Sequence, residues 1–307
     1  MQLMNNIFKS FTVLFLSFFP ISLAAQALPF TAIDYNAASL GKGGTSLVQT
    51  SSISGTAFTN AAAIPFSDLK ADVTAGFAMW APGGVSTNVL SVTGAYNVKQ
   101  KLGVAVGLAY GMNPSYDVVD ATGTVTGQFK PSEMQLSAGL SYRFLPFLSV
   151  GANVGYATSK LAENASYGSL VADVFLMAKF GGFKLAAGVS ELGTGVTSAS
   201  GVKFKIPTAA SFGLGYDLSF GEKNSIEVLA DGDYYLSGGF AASLGACYTY
   251  DNLISLRTGY RYGGQSVIPS FFSIGAGVHY SGFKLDLAYL LGDGIGNTLG
   301  LTVGCRF

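Results

Sequence analysis

The chain of 307 residues holds one histidine, one tryptophan, two cysteines and few charges, and each shortage excludes a class of protein. With His279 alone, a hydrolytic Ser-His-acid arrangement has a single possible base, and no nucleophile motif accompanies it. No catalytic residue is therefore assigned. Cys247 and Cys305 lack metal-ligand spacing, and by strand parity they point to opposite faces, so no metal site or disulfide is read from them. Both are read as small apolar residues. No cofactor motif is present either. The cluster Gly41-Lys42-Gly43-Gly44-Thr45-Ser46 fails as a phosphate loop, which needs four residues between its first Gly and its Gly-Lys-Ser/Thr. Tight backbone turns explain those glycines.

Charged residues make up 11% of the chain, against about 25% in ordinary soluble proteins. The 17 basic and 17 acidic side chains balance, with no block of one sign, which argues against a nucleic-acid partner. A mean hydropathy of +0.41 would suit a helical membrane protein. A spanning helix needs about 20 apolar residues in a row, however, and stretches such as Val73 to Val98 are broken by Pro82, Gly83, Gly84, Ser and Asn. An apolar chain without apolar runs must spread its hydrophobicity by alternation. In a bilayer that means a closed β-barrel.

Three regions differ in texture. Residues 1–27 read as a signal peptide: Lys9 supplies a positive start, Phe11 to Leu23 an apolar core, and Ala25-Gln26-Ala27 a small-x-small cleavage site. Residues 28–70 are rich in small side chains with little alternation. From Ala71 to Phe307 fourteen strands are expected, beginning near Ala71, Thr87, Lys101, Glu133, Phe147, Ser169, Phe183, Phe204, Ser225, Gly238, Leu253, Ser270, Phe283 and Asn297. Leu102, Val104, Val106, Leu108 and Tyr110, for example, oppose Gly103, Ala105, Gly107 and Ala109.

The connections sort by length. Asn97 to Gln100, Leu145-Pro146, Gly181-Gly182, Phe220 to Asn224, Asp251-Asn252 and Ser281-Gly282 are short. Those between them, such as Met112 to Ser132, Ser159 to Gly168 and Leu192 to Lys203, are mostly longer, with Leu236-Ser237 the exception. Such sorting is the habit of an outer-membrane barrel with both ends in the periplasm. Aromatics gather at the expected inner rim, among them Tyr96, Phe144, Phe147, Phe180, Phe183, Phe220, Tyr250, Tyr280, Phe283 and Phe307, as an interfacial girdle would.

Two stretches carry a family resemblance. The run ASLGKGGTSLVQTSSISGTAFTNAAAIPF resembles the amino-terminal segment of the FadL and PorV/PorQ families of outer-membrane barrels. Asn60 and Ala62 match a family Asn-Pro-Ala, with Ala61 in place of the proline. The resemblance implies a plug or hatch at the barrel mouth containing Gly41, Gly43, Gly44 and Asn60. The run from Gly259 to Phe307 resembles the closing strands of PorV/PorQ-type proteins through Gly282-Phe283-Lys284-Leu285-Asp286-Leu287-Ala288-Tyr289, then Gly292-Asp293-Gly294 and Gly296-Asn297-Thr298. A last strand ending on Phe307 resembles the signal read by the barrel assembly machinery.

What the resemblance implies is an outer-membrane protein with membrane lipid around it and no cofactor. A PorV/PorQ likeness implies a part in the type IX secretion machinery of Bacteroidetes-like bacteria, with translocon subunits and exported proteins as partners and Met112 to Ser132 and Leu192 to Lys203 as contact loops. A FadL likeness implies uptake of hydrophobic molecules past the hatch. A non-specific diffusion pore is a third possibility.

Parity turns ten charged or titratable residues toward the lumen: Arg143, Glu227, Asp231, Asp233, Arg257, Arg261, His279, Lys284, Asp286 and Arg306. They are expected mainly to pair with one another and fill a narrow interior, with a solute-guiding lumen as the alternative.

Overall fold

In a computed structural model, the structure describes residues 27–81, 86–197, 201–264, 268–292 and 294–307. The expected signal peptide, Ala27 aside, and Asp293 lie outside the described residues.

The strands run β1 (Ala71–Trp80), β2 (Thr87–Val98), β3 (Leu102–Met112), β4 (Tyr116–Val119), β5 (Val125–Phe129) and β6 (Ser132–Leu145). Next come β7 (Leu148–Ala162), β8 (Ala165–Phe180), β9 (Phe183–Gly193), β10 (Val196–Thr197), β11 (Lys203–Phe204) and β12 (Ala209–Phe220). The last are β13 (Asn224–Tyr235), β14 (Phe240–Tyr250), β15 (Ile254–Tyr262), β16 (Phe271–Tyr280), β17 (Phe283–Leu291) and β18 (Thr298–Arg306). Fourteen of them close an antiparallel transmembrane barrel in which β1 pairs with both β2 and β18. The remaining four form two ribbons in the longer loops, β4 with β5 and β10 with β11.

Alternation decides which face meets lipid. On β3, Val104, Val106 and Leu108 are exposed on the outside, while Gly103, Ala105, Gly107 and Ala109 are buried inside. Every aromatic of the expected girdle lies exposed, most of all Tyr280 (72%), Phe283 (68%) and Phe307 (71%). The short turns have consecutive positive φ values at Lys99 and Gln100 (53° each), Asp251 and Asn252 (53° each) and Ser281 and Gly282 (50° and 86°). Those values belong to two-residue hairpin turns whose twist matches the flanking strands.

Two expected boundaries shift. The loop at Ser159 to Gly168 is instead continuous hairpin: β7 and β8 have 15 and 16 residues, against 9 in β15, β17 and β18, and the turn is only Glu163-Asn164. About 9 to 11 residues cross a bilayer, so this hairpin stands beyond the wall at the long-loop end. The eighth wall strand begins at Ala209, not Phe204. Lys203–Phe204 pairs with Val196–Thr197, Ile206 is buried, and Pro207, with no amide hydrogen, cannot extend the ladder.

The seam is closed by the chain's end. Phe307 donates its amide to Ala71 O at 2.9 Å, and its own carbonyl accepts from Lys70 N at 2.6 Å and Ala71 N at 3.1 Å. Leu214, midway along β12, faces lipid. Leu214→Arg is expected to cost about 2–4 kcal/mol in urea titrations of the barrel refolded into vesicles, the cost of a cation near the bilayer midplane. A loss below roughly 0.5 kcal/mol would place this face away from lipid.

Candidate functional site: the occupied barrel interior

Residues 28–67 pack, mostly buried, against inward side chains of the wall, with four short helical turns at Pro29–Ala32, Ala37–Leu40, Ser54–Phe58 and Ala61–Phe66. Such short turns leave many amides and carbonyls unpaired, and inside a barrel water does not reach them all. Inward side chains of the wall supply partners. Asp72 accepts from Ile53 N (2.9 Å), Ser54 N (3.1 Å) and Ser52 Oγ (2.9 Å). Asp231 accepts from Ser46 N (2.7 Å) and Leu47 N (3.1 Å). Asn153 donates to Thr56 O (3.1 Å) and Thr59 O (2.9 Å), while Ser137 and Ser149 donate to Ala57 O and Ala62 O at 2.6 Å each.

The segment also caps itself. Asn36 and Asn60 accept from Ala38 N and Ala62 N, each at 2.9 Å, and Asn60 donates to Leu47 O at 2.7 Å. Gly43 and Gly44 have φ of 72° and 77°, the left-handed region where a side chain is strained. Gly43 N donates to Ser273 Oγ at 2.8 Å, and a Cβ added at Gly259 on the facing wall would strike the Gly43 nitrogen. Gly41 packs against Gly275 instead, in the right-handed helical region.

The ten expected lumen groups all turn inward, but fewer pair with one another than parity suggests. Arg257 meets Asp286 at 2.8 Å, His279 Nε2 lies 3.5 Å from the same carboxylate, and Arg261 reaches Asp233 at 3.7 Å. Glu227 instead meets two lysines outside the expected set, Lys42 at 2.8 Å and Lys184 at 3.0 Å. Lys284 pairs with Asp72 at 2.6 Å. Among the described residues Asp231 makes no ion pair with an arginine; it holds the Ser46–Leu47 backbone. Arg143, expected to answer acids across the barrel, lies over the Phe66 ring and donates to Pro65 O at 3.4 Å. Arg306 donates to Asn252 O at 3.1 Å. Parity could have exposed Lys184 and Asp72; nothing local marks Lys42, whose partner is 185 positions away.

Two separate spaces stand out among the described residues. A cavity of about 100 Å³ toward the long loops is lined by Thr31, Asp34, Glu191, Asp231, Asp233 and Arg261 among others, and burial raises the Asp34 carboxyl above its ordinary pKa. A chamber of about 550 Å³ opens at the short-turn end, and the two share no lining residue. On β13, Leu229 is buried between Glu227 of the chamber and Asp231 of the cavity, in one apolar cluster with Leu47 and Val48.

Similar architecture recurs in solved outer-membrane proteins. The Pseudomonas putida toluene transporter TodX is 13% identical, with 92% of this chain and 98% of that one covered at a TM-score of 0.60. The fold is shared with that transporter. The monoaromatic hydrocarbon channel CymD matches at 12% identity, 92% and 98% coverage and a TM-score of 0.61. A Pseudomonas aeruginosa FadL homologue matches at 13%, 88% and 97%, and 0.51. No family model and no curated protein matches the sequence. At these identities the likeness is one of fold, and the named neighbours are transporters and channels rather than enzymes.

Two substitutions test how the barrel holds its interior. Asp72→Ala leaves Lys284 buried without its anion and three donors without an acceptor, so a loss of about 3–5 kcal/mol is expected in urea unfolding. A loss under about 1 kcal/mol would mean the pair does not anchor the segment. Gly259→Ala should keep the wall folded, judged by slower gel migration after boiling, while proteases cut residues 28–70 several-fold faster. Unchanged cutting would dismiss the tight Gly43 approach.

Proposed function

We propose that this chain is an outer-membrane barrel that passes small hydrophobic molecules, with residues 28–70 acting as its hatch. The observation that carries this reading is the likeness in fold, across nearly the whole chain, to a toluene transporter and a monoaromatic hydrocarbon channel. The occupied interior supports the same view, because a segment held by side-chain hydrogen bonds can shift without breaking any ladder of the wall. Entry is from the long-loop side and exit through the chamber among the short turns, which lie in the periplasm.

A second reading is favoured by a different observation. The ribbon β4–β5 lies outside the wall and exposes Val119 and Val125 (57% and 56%), apolar surface that neither lipid nor core covers. That surface, within Met112 to Ser132, suits docking by exported proteins in a PorV/PorQ-type role in type IX secretion or surface attachment. The occupied interior suits the role as well, since docking needs no open passage. The other expected contact loop, Leu192 to Lys203, is described only in part.

Uptake of labelled toluene by intact cells separates the two. Cells carrying the barrel are expected to take it up several-fold faster than cells without it. Equal rates, with translocon subunits or exported proteins recovered with the barrel from outer membranes, would replace the first reading by the second.

A further inference from the structure

The chamber at the short-turn end has a charge pattern that neither reading uses. Lys179 on β8 and Arg306 on β18 stand in its lining from well-separated stretches of the wall. Their polar side-chain contacts are main-chain carbonyls, Phe66 O at 3.3 Å for Lys179 and Asn252 O at 3.1 Å for Arg306. Among the described residues neither makes an ion pair.

The acids around them are already committed. Asp217 and Glu227 line the chamber but are held by Lys184 at 2.6 and 3.0 Å, with Lys42 also on Glu227. Deeper in, Asp72 and Asp286 are taken by Lys284 and Arg257. Asp68 at the rim is exposed and accepts from Gln100, so solvent screens it. Two cations thus face a space of about 550 Å³ with no ion-pair partner among the described residues, and the acids that act on Arg306, Asp72 and Asp286, already hold Lys284 and Arg257. That volume is within the usual range for small-molecule pockets, and low-dielectric walls concentrate the field of the lining charges.

We propose that this chamber is a binding site for a small soluble anion, a carboxylate or phosphate drawn in by Lys179 and Arg306. The planar guanidinium of Arg306 matches two oxygens of either group, and the Lys179 ammonium adds a mobile point charge. Asn252 and Gly282 belong to short turns, so the ligand enters from that end. Ser225 adds a hydroxyl to the lining. The site depends on neither functional reading, because it requires no passage through the interior.

The test is calorimetric titration of the full-length barrel, purified in detergent, with inorganic phosphate and separately with succinate. Saturable one-to-one binding of at least one is expected, and the one that binds identifies the recognised group. Lys179→Gln and Arg306→Gln should each weaken binding about tenfold, and the double variant should abolish it. Lys223→Gln removes an exposed cation at the same end, paired with Asp251 at 2.9 Å, and should leave binding unchanged. Heat-modifiable gel mobility verifies that each variant is folded. Because Arg306 sits on the closing strand, Lys179→Gln alone is decisive if the other variant does not assemble. Binding of neither anion, or equal binding by wild type and a folded Lys179→Gln barrel, overturns the proposal.

Discussion

The structure depends on one constraint: in hydrocarbon, each backbone amide and carbonyl must find its partner within the protein. A fourteen-strand sheet meets that demand only when its first and last strands join. Asp72 to Met79 therefore runs antiparallel to Leu299 to Arg306, and the Phe307 carbonyl takes two amides where β1 begins. The remaining choices follow from that closure. Outward positions carry Leu, Val and aromatic residues because lipid solvates them. Inward positions carry Gly, Ser and short acids because another piece of the same chain must fit there.

The same demand recurs inside, where the solution is different. Residues 28–70 have little regular structure, so their amides cannot all be satisfied locally. Wall side chains meet them instead: Asp72 at one turn, Asp231 at another, and Asn153, Ser137 and Ser149 at the carbonyls. Buried carboxylates need counter-charges as well as donors. Asp72 has Lys284, and Glu227 has Lys42 and Lys184. The interior thus resembles a polar core that links segment to wall, with apolar clusters such as Leu47, Val48, Phe175 and Leu229 between the charged layers. Side-chain contacts can be remade one by one, whereas the ladders of the wall cannot, and this difference is the physical basis of the proposed hatch.

Much of the wall was legible from residue order. Strand alternation has a period of two, and the outer face is largely apolar, so Leu102 to Tyr110 announced its own orientation. Turn positions were legible for a related reason: short connections at Lys99-Gln100 and Asp251-Asn252 leave the chain no other route. Boundaries failed where the pattern outlasts the membrane. The β7–β8 hairpin keeps pairing above the wall, and Pro207 delays the strand expected from Phe204. The lumen charges were legible as inward-facing and illegible as partners. Parity gives the face a side chain takes, not what stands opposite.

Composition and periodicity by themselves determined the architecture: a closed antiparallel barrel of fourteen strands, greasy outside, with an amino-terminal stretch that follows different rules. These are local properties, written in the order of neighbouring residues. Only the tertiary structure decided that Lys42 meets Glu227, that Arg143 leaves the acids for Phe66, and that Lys179 and Arg306 line one chamber. Such contacts join residues 185 positions apart for Lys42 and Glu227, and 230 apart for Gly43 and Ser273. They depend on how far around the wall the strands carry each side chain and on how the inner segment folds against it, and no short stretch of sequence encodes either.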